Sequence, residues 1–563
     1  MDAMTEIRNV WLMVCTAMVF FMQAGFCCLE AGAVRSKNSV NVALKNVIDF
    51  LVATMCFFVV GYSLMFGKSW IMGVAGKPTL FLQGLQSQDS FAFLYQLVFC
   101  GTAATIVSGA MAERLRFLPY VLGSAGLSLI IYPIYGHWAW NPDGMLMRLG
   151  FHDFAGSSVV HMVGGLVSLA GIQKIGPRIG RFSPDGKSKE FPASDVPMVA
   201  LGTFILYFGW IGFNGGSAPF GPHTGFIVLN TVLGGAFGGL TCMLFGWAFQ
   251  GVSGTGSIMN GVLAGLVAIT AGADVVTPTA AVLIGGAGGL AYLAADAVLL
   301  KLKLDDAVGA VQVHLGAGLI GIILVGVFAG QDYLDATTHR LGVDFTRSSL
   351  IRVQLIGAAA CILWTYLTAI ILWEITGRIA PLRVSKDEEL VGLNYSEHQV
   401  GNPVDEIAEY LRDRGADKSA TVRPYDILGG EHGRLIAVIE TWAARIERER
   451  EDIDRIRGFL DKDSERLNSL IEKCSEQNRH QAQRLESVSE RVARVGADLR
   501  ARALQGSDPS PLAADVLESV SERLSEMRAA GDEMSFHWNQ LRGLGNSLLM
   551  NIRPAGAGPQ GKA

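Results

Sequence analysis

Charge is scarce over the first two thirds of this 563-residue chain. Between about Val10 and Ala380 the apolar runs are broken by few ionisable side chains, whereas from Val384 onward Glu, Arg, Asp and Ser dominate. That scarcity excludes one soluble globular domain, because apolar stretches of roughly 20 residues match the thickness of a bilayer core. The net charge of −5 and mean hydropathy of +0.34 therefore average two parts suited to different solvents. Cysteine is sparse as well: Cys15, Cys27, Cys28, Cys56, Cys100, Cys242 and Cys361 lie in apolar segments and Cys474 stands alone, which excludes a disulfide framework. The N-terminal stretch "MDAMTEIRNVWLMVCTAMVFFMQAGFCCLEAG" lacks a basic n-region and a small-residue cleavage site, so it reads as a first membrane helix. No glycine-rich nucleotide loop, no GGDEF-like stretch and no kinase histidine box around His480 is found, and no nucleic-acid partner is expected.

What the chain has in excess is glycine. Its 67 glycines, well above the usual share of about 7%, concentrate in the apolar part, where small residues let helix backbones approach closely. Eleven spans can be drawn, at about 8–32, 43–66, 91–111, 119–137, 155–175, 196–214, 226–250, 258–272, 279–301, 309–329 and 351–379. With the N-terminus outside, the inner loops hold Arg35, Lys37, Lys45, Arg114, Arg116, Lys174, Arg178, Arg181, Lys187, Lys189, Lys301 and Lys303, in keeping with the positive-inside rule. An odd number of spans then leaves the C-terminal region in the cytoplasm.

Two histidines sit where charge is costly. His161 lies in "DFAGSSVVHMVGG" and His314 in "VQVHLGAGLIG", and Asp153, His161, Gly165 and Leu166 have the spacing of Asp306, His314, Gly318 and Leu319. In the topology above the two copies run in opposite directions, which is the mark of an inverted five-helix repeat with a site near the midplane. Two neutral imidazoles can share one proton, each ring donating at one nitrogen and accepting at the other. The alternative is two unrelated core histidines, each bonded to a backbone carbonyl; repeat-related ionisable residues in membrane helices favour function. A metal site is disfavoured, since no Cys, third His or carboxylate shares their level along the sequence.

Aromatic residues cluster toward the outer helix ends: Tyr95 and Phe99 at i, i+4, Trp138 and Trp140 in "HWAWNPDG", and Trp210, Phe213 and Ser217 in "YFGWIGFNGGS". Such faces attract a cation as it loses water, although an interfacial aromatic belt has the same composition. Together with "FCGTAATIVSGAMAERLRF", "DFAGSSVVHMVGG" and "VHLGAGLIG", these segments resemble the ammonium transporter family (Amt/Mep/Rh) over roughly residues 8–395. The resemblance implies an all-α polytopic fold of eleven transmembrane helices, a homotrimer in the lipid bilayer of the cell membrane, and a narrow pore in each protomer. It implies an outer ammonium recruitment site of Trp140, Ser217 and Phe99, with Asp153 as the carboxylate that holds it in shape. It further implies an aromatic gate of Tyr95, Phe99 and Phe213, Tyr95 standing where a Phe is usual, with Trp210 below it and His161 and His314 as the pore relay. Retention of Trp140 points to the Amt branch rather than the Rhesus branch. The implied chemistry is loss of a proton over the aromatics and passage of ammonia, without covalent catalysis, cofactor or metal.

The chain departs from that pattern in three places. Gly309 stands where members commonly carry a further acid before the second histidine, so inner-side conduction is expected to differ. The tail reads "VGLNYSEHQVGNP", where Asn394 and Gln399 replace familiar neighbours of His398, which bears on docking of PII-type regulators. After a linker over 384–433 that follows the membrane domain at 1–383, residues 434–563 carry heptads, with Ile439, Ile446, Ile453, Leu460 and Leu467 at one position. "GSDPSP" breaks the run before a second series from Leu517 to Ile552, so a cytoplasmic coiled coil or helical hairpin is expected. It would serve either as an oligomer staple or as the output of a non-conducting ammonium receptor that engages a cytoplasmic signalling partner.

Overall fold

The computed structural model describes residues 3–400 and, in the C-terminal region, short helical stretches at scattered positions within 476–501 and 519–526. The chain divides into two units, Met1–Glu406 and Ile407–Ala563. In the second, Val488 and Val495 belong to described helical stretches and are exposed. Val520 of the second series is likewise described and exposed, and Val492 and Leu524 are described and half-buried, whereas Ile439 to Leu467 and Leu517 lie outside the described residues.

The first unit is a bundle of long apolar helices, the form in which a chain in lipid can satisfy its backbone internally. In order they are α1 (Ala3–Ala33), α2 (Ser39–Cys56), α3 (Ser90–Ala110), α4 (Phe117–Gly126), α5 (Tyr132–Trp140), α6 (Val163–Ile175), α7 (Val196–Gly215), α8 (Thr224–Gln250), α9 (Thr255–Thr270), α10 (Pro278–Lys301), α11 (Ala317–Phe328) and α12 (Arg347–Ile379). α4 and α5 are joined by the π-helical turn Leu127–Ile131 into one span. Among the described residues ten helical runs are long and apolar enough to cross a membrane. The eighth expected span is α9, 16 residues long. At 1.5 Å per residue it rises about 24 Å, short of a full crossing, and it is shielded from lipid by protein, with Leu263 to Thr270 buried without a break.

Glycine sets how closely these helices pack. A Cβ on Gly202 of α7 would lie 2.5 Å from the Leu29 nitrogen of α1, and one on Gly265 of α9 or Gly285 of α10 would lie 2.2 Å from the Gly234 carbonyl of α8. Two interfaces, α1 with α7 and α8 with α9 and α10, are therefore backbone to backbone.

The basic face is tied by a buried ion network. Arg178 bonds Asp305 and Glu113, Arg35 pairs with Glu113, and Arg181 reaches Asp305 at 3.1 Å. Burial alone would push the Asp305 carboxyl up, but the hydrogen bonds of Arg178 and the charge of Arg114 hold it well below the usual carboxylate range. The short helices Lys386–Val391 and Leu393–His398 dock on this face. Lys37 donates to the carbonyl of Glu389, Asn394 accepts from the Asn41 nitrogen at 3.0 Å, and Asn41 Nδ2 lies 2.9 Å from His398 Nε2. Asn394, noted above as a departure, thus anchors the tail to the start of α2.

Candidate functional site

The two histidine segments are local duplicates. Each helix opens with a π-helical turn, Ser157–Met162 before α6 and Val311–Gly316 before α11. Each turn is capped by the carboxylate eight residues ahead of its histidine. Asp153 accepts from the nitrogens of Gly156 (3.1 Å), Ser158 (2.8 Å) and Val159 (3.0 Å); Asp306 accepts from Val308 (3.2 Å), Gly309 (2.9 Å) and Val311 (2.7 Å). Burial nevertheless pushes both carboxyls up from the usual aspartate value, the accepted N–H bonds opposing it. The π turn adds a residue to the helical circuit, a feature frequent at functional sites.

The duplication brings the rings together. His161 Nδ1 lies 3.1 Å from His314 Nδ1, and the rings stack at 5.1 Å with 16° between planes. In a neutral pair one Nδ1 donates to the other, so the two Nε2 atoms carry opposite protonation. His161 is fully buried and its Nε2 has no hydrogen-bond partner. The His161 ring stacks on Trp210 (5.2 Å) and Phe213 (5.5 Å), and the Trp210 indole is fixed by donating to Thr270 Oγ1 at 2.8 Å.

Above His161 the path is shut by two rings. Phe99 of α3 and Phe213 of α7 stack with centroids 4.0 Å apart, leaving no room between them. Phe99 then meets Trp140 edge to face at 6.0 Å and Tyr95 at 4.7 Å. The Tyr95 hydroxyl donates to the Phe213 carbonyl at 2.6 Å and lies 3.2 Å from Ser217 Oγ, while Trp140 Nε1 donates to the Asp153 carbonyl at 2.6 Å. Trp140, Phe99, Tyr95, Ser217 and Phe213 thus share one vestibule, and Asp153 holds its wall from behind. Ser158 ties Asp153 further, with Oγ at 2.6 Å, and itself accepts from Tyr135.

Residues 10–402 match the model of the Ammonium Transporter Family. A protein of Synechocystis sp. named "Putative ammonium transporter sll0537" is 40% identical over 98% of this chain and 100% of its own length. Ammonium transporter Amt2 of Archaeoglobus fulgidus is 42% identical over 69% of this chain and 86% of that protein. The chain belongs to the ammonium transporter family. Among solved structures, one described as "Sensor Amt Protein" has TM-score 0.67 and 40% identity, covering 70% of this chain and 98% of that one. Saccharomyces cerevisiae Mep2 has TM-score 0.61 and 28% identity over 68% and 88%. This is a multi-pass membrane protein of the ammonium transporters.

Two features of this transporter fold were not drawn from the sequence. Gly309 holds φ +87°, as Gly156 holds +109°, each three residues after its capping aspartate. The position asks for a left-handed backbone, which glycine adopts freely. The second is Glu30 of α1, which lines one small cavity together with His314, Gly309, Phe26 and Asn260. A carboxylate does therefore share a cavity with one of the histidines; a charged residue in the apolar run "FCCLEAG" was the available signal. Among the described residues no group of three or more His, Cys, Asp or Glu could hold a metal ion.

Proposed function

We propose that the protein conducts ammonium as ammonia plus a proton. The cation pauses at Trp140, Phe99 and Ser217, where aromatic faces and a hydroxyl offset its dehydration. Carrying it intact through the stacked Phe99 and Phe213 rings would forfeit its hydration without replacement, at a cost of many kcal/mol. Loss of the proton makes the cargo neutral. Rotation of the stacked rings then admits ammonia to the level of Trp210 and His161. The proton enters at His161 Nε2, passes across the Nδ1 to Nδ1 bond and leaves from His314 Nε2. The observation that carries this reading is that bond, at 3.1 Å, with the His161 Nε2 buried and unpartnered.

In this reading Tyr95, Phe99, Phe213 and Trp210 form the gate and its floor, and Asp153 positions Trp140 and the first π turn. The protomers assemble as a homotrimer in the cell membrane, N-terminus outside and C-terminal region cytoplasmic, and the pore performs no covalent chemistry. The test is charge movement driven by an ammonium gradient across sealed liposomes. Wild type should carry current and His161→Ala at least tenfold less; equal currents would remove the relay.

A second reading has a specific observation behind it. The neighbour described as a sensor resembles the membrane unit at 40% identity, and the heptad-bearing sequence from residue 434 onward would offer an output to a cytoplasmic signalling partner. A non-conducting receptor would bind ammonium at Trp140 and Ser217 yet give no current in the same liposomes.

A further inference from the structure

We infer that Glu30 is the group that takes the proton from His314 and returns it to ammonia on the basic side of the pore. The assignment rests on the conduction reading above and adds the acceptor that reading lacks. His314, besides stacking on His161, lines a cavity of about 20 Å³ together with Phe26, Glu30, Asn260, Gly309 and neighbouring apolar side chains. That volume and the polar lining suit a water molecule, which needs roughly 10–15 Å³ and two or more polar partners. Glu30 is 2% exposed, and its Oε2 is held by Asn46 Nδ2 at 2.8 Å, so the carboxyl is fixed against the cavity rather than swinging to bulk solvent. Room for it is made by Gly109 of α3, where an added Cβ would lie 2.8 Å from Glu30 Oε1.

A buried carboxyl in an apolar span is costly unless it does work. This one shares a water-sized cavity with a proton source, His314. His314 Nε2–H donates to the cavity water, which passes a proton to the Glu30 carboxylate. Ammonia arriving from the pore then takes that proton, giving ammonium and restoring the carboxylate. One proton enters at His161 and one leaves with the cargo, so neither ring nor carboxylate is consumed. The groups that set the response to pH here are Lys45, Asn46 and Asp49 of α2, Cys27 of α1, Ser108 of α3, Tyr120 of α4, Asp306 beside the second π turn, and His314.

The experiment uses the full chain in sealed phosphatidylcholine and phosphatidylglycerol liposomes under an ammonium gradient. It reads charge movement, and separately the luminal alkalinisation that ammonia causes, while the pH on the basic side is varied. Wild type should move charge with a dependence on that pH. Glu30→Gln should lose at least tenfold in charge movement and lose the pH dependence, yet keep ammonia-driven alkalinisation. Glu30→Asp should recover part of the charge with a displaced pH profile. Wild-type charge and profile in Glu30→Gln would overturn the assignment. If the amide variant does not elute as wild type does, Glu30→Asp decides, since an unmoved pH profile in it would overturn the assignment. A wild type that moves no charge fails the conduction reading itself and takes the assignment with it, a signature separate from both.

Discussion

Gly309 and Gly156 occupy one backbone state in two copies of a motif, at φ +87° and +109°, each donating its N–H to Oδ1 of the aspartate three residues before it. The carboxylate can reach the nitrogens of the π turn because the chain folds back at the glycine. The ring that follows five residues later is thereby aimed at its twin. Absence of an acid at Gly309 is thus a demand of backbone geometry in this chain, and the buried acid at that level is supplied from α1 by Glu30.

Alanine at these glycines is expected to destabilise by the cost of a left-handed residue, about 1–2 kcal/mol, plus local crowding. A Cβ at Gly309 would lie 2.7 Å from Asn260 Nδ2, and one at Gly156 2.8 Å from Val160 and 3.1 Å from the Trp140 ring. Thermal unfolding of the purified protein should show both variants below wild type. Gly156→Ala should also weaken ammonium binding, because its clash is with the vestibule.

Replacing either histidine should remove the relay whole. His161→Ala and His314→Ala break the same hydrogen bond, and a positioned proton-transfer group contributes about 10²- to 10⁴-fold. Charge movement in the double variant should therefore be no lower than in the worse single one. Multiplying losses would mean that the two rings act apart.

Trp140→Leu is expected to raise the half-saturating ammonium concentration more than it lowers the maximal current. A cation over an indole gains about 0.5–2 kcal/mol, so the shift should be roughly 2- to 30-fold. The indole also donates to the Asp153 carbonyl, and Trp140→Phe, which keeps a ring but no donor, separates the two effects: it should recover much of the affinity if the ring dominates.

The path from residues to site was short wherever a motif carries its own geometry. The repeat of Asp153 and His161 in Asp306 and His314 was legible because an eight-residue spacing is a linear fact, and the aromatic vestibule because its residues fall in a few helix ends. Less legible were features that exist only between distant segments. Nothing near Glu30 in sequence hints that it shares a cavity with His314, some 280 residues on, and Asn394 reads as a departure until its side chain meets Asn41. The shortness of α9 was visible in its expected span of 258–272, but its burial was hidden, since hydropathy sees apolar residues and not the neighbours that shield them.

The segment ahead of the first π turn offers a dependence on pH with a definite sign. His152 Nε2 lies 2.9 Å from Asp274 Oδ1 and its ring meets Tyr333 at 4.7 Å, while its backbone is gripped by Gln354. Burial disfavours the imidazolium, but the Asp274 carboxylate outweighs it, so the His152 pKa stands above its ordinary value. A raised folded-state pKa contributes stability that is complete below the unfolded value of about 6.5 and fades as pH rises through the folded one. Asp274→Asn should therefore lower the melting temperature at pH 6 and converge on wild type near pH 9; a constant gap would assign the residue to packing instead.

The basic face should behave in the opposite sense. Asp305 is held below the usual carboxylate range by Arg178 and Arg114, so its contribution is present above the unfolded value of about 3.9 and is lost only as pH falls through the lower folded one. At neutral pH the pairing is complete. Asp305→Asn removes one of two carboxylates from the buried Arg178, leaving Glu113 as its remaining partner. Breaking a buried pair costs about 3–5 kcal/mol, and the surviving contact argues for the lower end. Because the same network sits beside the turn that carries Asp306 and His314, the loss should also appear as reduced current. Restoring charge with Asp305→Glu should recover stability before it recovers current, since the longer carboxylate can pair with Arg178 without reproducing the short bridge to the Arg178 backbone nitrogen at 2.9 Å. Stability and current recovering in step would show that the network is a staple and does not set the second π turn.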